Sequence, residues 1–203
     1  MLTKYMNSIK RCFCGSDSNF SSCCQPYINQ ELPVKTAEQL MRSRFSAYAD
    51  GNAQYIYDTY AKSSQKAQSL KELDEWSKSC VWLALKIHPV TNNANISTEQ
   101  YVEFSAFYIT NNTLCELREK SRFVLEESTL GEQGVLEKGT DKATLNHAIT
   151  PSTKLRQWRY IDGDIIAHSE LATIKRNELC PCNHYPTAWQ PKKGKKFKHC
   201  CGR

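Results

Sequence analysis

The chain has 203 residues, 40% hydrophobic and 24% charged, with a mean hydropathy of −0.60. That suffices for one folded domain with small additions, and it excludes a disordered or low-complexity chain. No apolar run reaches the roughly 18 residues of a membrane helix, and residues 1–11 lack the apolar stretch of a secretory leader. No membrane insertion and a cytoplasmic location are therefore expected. The net charge of +6 is uneven: residues 174–203 hold eight Lys and Arg against the single acid Glu178, a basic tail on a near-neutral body.

Taken in chain order, residues 1–30 form a short cysteine-bearing head, and Gln30-Glu31-Leu32-Pro33 reads as a linker. Thr36 with Gln39 makes a capping box. Leu40, Met41, Phe45 and Tyr48 then recur at helical spacing until Asp50-Gly51. Ala53, Ile56, Tyr57, Tyr60 and Ala61 mark a second helix. Ser69 and Glu72 cap a third, with Leu70, Leu73 and Trp76 on one face. The period then changes to two. Val81, Leu83, Leu85 and Ile87 alternate with Trp82, Ala84, Lys86 and His88, a strand ending at Pro89. Residues 101–109 alternate likewise, Asn111-Asn112 signals a turn, and 113–126 form a returning strand. Residues 127–154 lack periodicity and read as an exposed insertion or flexible loop. Residues 155–161 form another strand, with a hairpin turn expected at Asp162-Gly163 before a strand at 164–168. Helices followed by antiparallel strands imply an α+β domain over 31–172.

Eight of the ten cysteines lie in two clusters: Cys12, Cys14, Cys23 and Cys24 at the head, and Cys180, Cys182, Cys200 and Cys201 at the tail. Each is Cys-x-Cys followed by Cys-Cys, with eight residues between the pairs at the head and seventeen at the tail. Two close thiolate pairs across a short turn can surround one tetrahedral Zn²⁺, and Gly15 permits a tight turn beside them. Disulfides and buried free thiols are the alternatives. The absence of export signals argues against disulfides, and a head of thirty residues needs some staple. His184 and His199 are possible replacement ligands at the tail, His199 the stronger because it adjoins Cys200. Four cysteines close the coordination shell, so the expected role is structural rather than catalytic, with two zinc ions per chain.

These clusters resemble the SEC-C motif, the zinc module at the C-terminus of the SecA translocase. The matching stretches are Arg176-Asn177-Glu178-Leu179-Cys180-Pro181-Cys182 and Lys193 through Gly202 at the tail, with Cys12-Phe13-Cys14-Gly15-Ser16 and Cys23-Cys24 at the head. The tail match carries an insertion of about nine residues, and Cys24 and Cys201 stand where SecA has a histidine. The whole chain further resembles the YchJ family through Leu40-Met41-Arg42-Ser43-Arg44-Phe45, Ser121-Arg122-Phe123 and Trp158-Arg159-Tyr160-Ile161-Asp162-Gly163. The resemblance implies zinc modules at 1–30 and 173–203 flanking a cone-shaped nuclear-transport-factor-2-like domain, with helices packed on a strongly curved antiparallel sheet.

Two functions compete. The first is a binding protein: SEC-C modules in SecA contact an export chaperone and the ribosome, so the resemblance implies a protein partner of that kind. With zinc bound, the tail keeps a charge of about +5. Lys192, Lys193, Lys195, Lys196 and Lys198, interleaved with Tyr185, Trp189 and Phe197, could meet an acidic protein surface or RNA phosphates. The second is a small-molecule or enzyme site inside the cone, with Arg44, Asp58, Tyr60, Glu103, Arg118 and Arg122 as candidate lining groups. The plain alternatives are a solvated lysine face for the first and ordinary core packing, with Arg122 paired to Asp58 or another acid, for the second. His88, His147 and His168 are dispersed and read as surface or loop residues, and Cys80 and Cys115 as small apolar ones.

Overall fold

The computed structural model describes residues 11–90, 98–129, 154–184 and 194–203. Five helices precede four strands: α1 (Gln25–Ile28), α2 (Ala37–Asp50), α3 (Ala53–Asp58), α4 (Lys62–Gln65), α5 (Leu70–Ser79), β1 (Val81–His88), β2 (Glu99–Thr110), β3 (Thr113–Thr129) and β4 (Lys154–Thr173). The strands form one antiparallel meander in the order β1-β2-β3-β4. Local chemistry sets the helix ends. Thr36 Oγ1 accepts from the Gln39 amide at 3.1 Å, and Gln39 returns a bond to the Lys35 amide at 2.9 Å, one residue before the expected cap. Gly51 ends α2 at φ +75°, where a side chain would be strained, and the Ser69 hydroxyl caps α5. Asn111 and Asn112, at φ +48° and +61°, make the two-residue turn between β2 and β3.

Two expectations are corrected here. The expected second helix stops at Asp58, because Tyr60 leaves it to form a parallel bridge with Tyr160. The Ala61 amide donates to the Tyr160 carbonyl at 2.7 Å and the Tyr160 amide to the Thr59 carbonyl at 2.9 Å. The hairpin at Asp162-Gly163 does not exist either. β4 runs unbroken for 20 residues, with Gly163 opposite Ser121 and Asp162 opposite Arg122. β3, with 17 residues, offers pairing along that whole length, and continued pairing outweighs the local turn preference. The register slips three times between these strands, at Leu114/Cys115, Arg118/Glu119 and Arg122/Phe123, so β4 carries an extra residue at each slip. Such bulges bend and twist an edge strand, which curves the sheet. The reading of 127–154 as a loop falls outside the described residues except where β3 and β4 enter it.

The concave face of the sheet meets the helices. Leu40, Phe45, Ile56, Trp82, Phe104, Tyr108 and Phe123 are buried there in one continuous core. A bulge at Leu83 breaks the expected alternation of β1: Trp82, Leu85 and Ile87 face this core, while Val81 and Leu83 turn to the convex face and join a second apolar cluster.

Candidate metal centres

Both cysteine quartets close in space. Within each set of four, all sulfur atoms lie within 4.8 Å of one another. Neighbouring sulfurs stand 3.7 Å (Cys14–Cys23) and 4.0 Å (Cys23–Cys24) apart at the head, and 3.4 Å (Cys182–Cys200) and 3.8 Å (Cys200–Cys201) at the tail. A tetrahedron with metal–sulfur bonds of about 2.3 Å has edges of about 3.8 Å, so the donor set and its spacing fit a four-thiolate metal ion. All ten cysteines are free. The quartets can hold metal ions, and four-coordinate sulfur leaves no position open for water.

The two sites share a frame. Cys12 donates its amide to the Ser18 carbonyl at 2.9 Å, and Cys180 donates to Lys195 at 3.0 Å, each beside a short antiparallel bridge, Arg11 with Asn19 and Leu179 with Lys196. A single 3-10 turn follows, Phe20–Ser22 or Phe197–His199, and delivers the second cysteine pair. Its phenylalanine, Phe20 or Phe197, is buried and floors the site. Gly15 takes φ +80° directly after Cys14. Thus the long tail spacer, Asn183 to His199, delivers Cys200 and Cys201 to the same relative position. His199 is exposed and stands outside the sulfur quartet.

The four clustered thiols of each quartet differ in acidity. Bonds from Cys12 and Cys24 keep Cys14 far below the usual thiol range, while bonds to Cys12 and Cys14 push Cys24 far above it. Burial pushes Cys23 up to about 11. Burial, then Cys200 and Cys180, also push Cys182 up. Burial alone would raise Cys180, yet backbone amides of Cys182 and Cys201 donating to its sulfur bring it down. A bound dication must displace the remaining protons, so binding weakens in acid. Head-site groups beyond the cysteines were not legible in the sequence. Ser16 Oγ lies 3.1 Å from Cys23 Sγ and 3.3 Å from Cys14 Sγ, Ser46 Oγ lies 3.7 Å from Cys12 Sγ, and Arg42 Nη1 donates to the Cys14 carbonyl at 3.0 Å.

What each site rests on differs. The head packs onto α2, and its Cys12, Phe13, Phe20 and Cys24 belong to the main core. The tail lies on the convex face of the sheet. There Cys180, Cys182, Phe197 and Cys200 pack with Ile174, Leu83 and Ile109, flanked by Val81, Phe107 and Leu114. The two sites thus occupy opposite faces of one sheet.

Similarity to known proteins agrees with this architecture. The family profile described as "YchJ, middle NTF2-like domain" matches residues 36–130. A UPF0225 protein of Photorhabdus laumondii is 30% identical over 193 residues, covering 94% of this chain and 98% of that one. The chain belongs to the UPF0225 (YchJ) family. The Haemophilus influenzae member is 29% identical over 195 residues, with 96% and 93% coverage. The crystal structure of a SEC-C motif containing protein from Psychrobacter arcticus superposes with a TM-score of 0.57 at 24% identity, covering 96% of this chain and 97% of that one. A SEC-C motif containing protein from Rhodopseudomonas palustris, solved in solution, gives 0.57 at 20% identity, with 77% and 99% coverage. The chain is therefore a mixed helix and antiparallel-sheet NTF2-like domain with cysteine clusters at its ends that could bind metal.

Of the six lining residues expected from sequence, Arg44 and Tyr60 meet and the other four do not join them. Arg44 is buried inside the cone. Its Nη1 donates to the Ile56 carbonyl and to Thr59 Oγ1, both at 2.7 Å, and its guanidinium packs against the rings of both Tyr60 and Tyr160, 4.6 and 4.5 Å from their centres. Arg118 and Arg122 stand on the convex face, because side chains alternate along β3 and the core claims Ser121 and Phe123. Arg118 pairs with Glu103, and Arg122 makes a two-pronged pair with Asp162, bonds of 3.0 and 2.6 Å, rather than with Asp58. The Asp58 carboxylate accepts from Gln54 within α3. A cleft of about 400 Å³ lies elsewhere, at the ends of α2 and α5, lined by Tyr48, Asp50, Lys78, Cys80 and Trp82 among others. Of the expected partner-binding lysines, Lys195 and Lys196 are exposed and Lys198 is half-buried, while Lys192 and Lys193 lie outside the described residues.

Proposed function

We propose that this protein is a non-catalytic, zinc-binding interaction protein of the cytoplasm, with one structural Zn²⁺ at each end and partner contact through the tail module. Zinc suits a closed four-thiolate shell because it is redox-inert and accepts tetrahedral sulfur, and free thiols suit a reducing compartment. The observation that carries the partner reading is the orientation of the tail. Its apolar side is spent on Leu83 and Ile109 of the sheet, while Lys175, Arg176, Lys195 and Lys196 are exposed. A basic knuckle held out from a rigid sheet fits an acidic surface. The SEC-C resemblance points to export or translation components, with RNA phosphate as the other acidic partner.

Native mass spectrometry of protein purified without chelator should find two zinc ions per chain. Paired variants Lys195→Glu and Lys196→Glu should keep both ions and lose salt-sensitive capture of ribosomes or export chaperone. Fewer than two ions, or capture unchanged by the charge reversal, would refute the reading.

A further inference from the structure

β3 presents one carboxylate to the interior of the cone, and the fold goes to unusual lengths to aim it. Ser121 Oγ and the Tyr160 hydroxyl both donate to Glu119 Oε1, at 2.6 and 3.1 Å. Tyr160 is itself held by its ring contacts with Arg44 and Tyr60. Burial and the nearby Glu119 push the Tyr160 hydroxyl well above its usual range, so it stays a donor. Opposite Ser121, β4 carries Gly163, where any side chain would begin 2.0 Å from Glu119 Oε1. Glycine inside a strand weakens it and marks a place where something must approach closely. Here the close approach is the Glu119 side chain.

This carboxylate nevertheless has no cationic partner among the described residues. On the convex face Glu103 pairs with Arg118 and Asp162 with Arg122, whereas among the described residues no Lys, Arg or His pairs with Glu119 and nothing bonds to its second oxygen. Arg44 does not serve, since its bonds go to Ile56 and Thr59. Beyond Glu119 the concave face is open. Ile165, paired with Glu119, is 65% exposed, and the exposed His168 follows, paired with Leu117. The Tyr108 hydroxyl reaches across β3 to His168 Nε2 at 2.6 Å and fixes that ring. Tyr48, from α2, packs on Trp82, which in turn meets the Tyr108 ring.

We infer that Glu119, with Leu117, Ile165 and His168 beside it on the open concave face, is a binding site for a small organic amine. The protonated nitrogen would meet the free carboxylate oxygen, and an apolar body would cover Leu117 and Ile165. The charge sets the class: the oriented carboxylate makes no ion pair among the described residues, and Arg44, the buried cation nearby, directs its Nη1 to Ile56 and Thr59. This inference does not depend on the metal centres or on the tail.

The test uses the full-length, metal-loaded protein, with benzylamine as the probe and benzyl alcohol as its uncharged counterpart. In an NMR titration, benzylamine should shift the Ile165 methyl and His168 ring signals, and benzyl alcohol should not. Glu119→Gln should weaken benzylamine binding by about tenfold or more. Gly163→Ala, which pushes the carboxylate aside, should weaken it comparably. Because Glu119 has no cationic partner among the described residues, Glu119→Gln should leave the melting temperature and the metal content unchanged or raise the former. Absent shifts, equal shifts from the alcohol, or binding unaffected by Glu119→Gln would overturn the site. So would a marked loss of stability in Glu119→Gln, which would make the carboxylate a structural group.

Discussion

The two cysteine quartets, each able to hold a metal ion, use the same frame of bridge, 3-10 turn and buried phenylalanine, yet they are integrated differently. The head site is part of the domain core. Arg42 of α2 donates to Cys14, Ser46 of α2 touches Cys12, and Phe13 and Phe20 stack edge-on with ring centres 5.2 Å apart inside the main cluster. The tail site is docked on the outside of the sheet through a smaller cluster and anchored by the Ile174 amide on the Asn112 carbonyl at 2.7 Å. One local fold can therefore be core in one place and appendage in another. What decides is whether the surface beneath it also serves the rest of the domain.

The largest expected effect separates them. Removing a structural four-thiolate metal forfeits binding energy on the order of 10 kcal/mol. Cys14→Ser should thus lower the stability of the whole helical layer and sheet, seen as a single earlier unfolding transition. Cys182→Ser should leave the main transition in place and expose amides only around Leu83, Ile109 and residues 174–203. Hydrogen exchange distinguishes the two, and equal global loss from both variants would erase the contrast.

Arg44→Ala tests the layer on which the head rests. It removes one of two donors to the Ile56 carbonyl, the donor to Thr59 Oγ1 and the group packed against two tyrosine rings, at a cost of about 3 kcal/mol. Arg118→Ala, on the solvated face, should cost less than about 1 kcal/mol. Chemical denaturation of both variants gives the comparison.

Alkaline pH probes the same layer. Tyr55, bonded to Ser43 of α2 at 2.7 Å, is pushed up to about 12 by burial. A folded-state value above the ordinary 10 means the neutral phenol favours folding. That contribution, at most about 3 kcal/mol, is complete below pH 10 and is lost as pH rises from 10 through 12. Tyrosinate absorbance should show Tyr55 among the late-titrating phenols, with Tyr48, Tyr108 and Tyr160, and the difference between the wild type and Tyr55→Phe isolates it. In Tyr55→Phe the stability loss across that window should shrink, and an unchanged loss would place its cause elsewhere.

A small effect is also expected at the joint itself. Arg42→Ala removes the bond to the Cys14 carbonyl and the ion pair with Glu38, costing about 1 kcal/mol and loosening the head metal without touching the tail metal. Competition with a chromophoric chelator, read as two release phases, should show only one of them accelerated.

Much of this protein was set by neighbours in sequence. The cysteine spacings, the caps at Thr36 and Ser69, the stop at Gly51 and the Asn111-Asn112 turn are short-range features, and each is visible in the chain because its physics closes within a few residues. Tertiary structure decided everything that depends on a face. The Leu83 bulge gave β1 two buried sides, which strict alternation cannot express. Long-range pairing with β3 overrode the turn preference of Asp162-Gly163, and so hid the role of Gly163 as the space for Glu119. Arg44 and Arg122 look alike in the sequence, yet one lies inside the cone and the other on its outer surface. Strand parity and bulges assign sides only after the partners are known, so the arginine faces, the landing of each metal module and the oriented carboxylate came from packing between residues far apart in the chain.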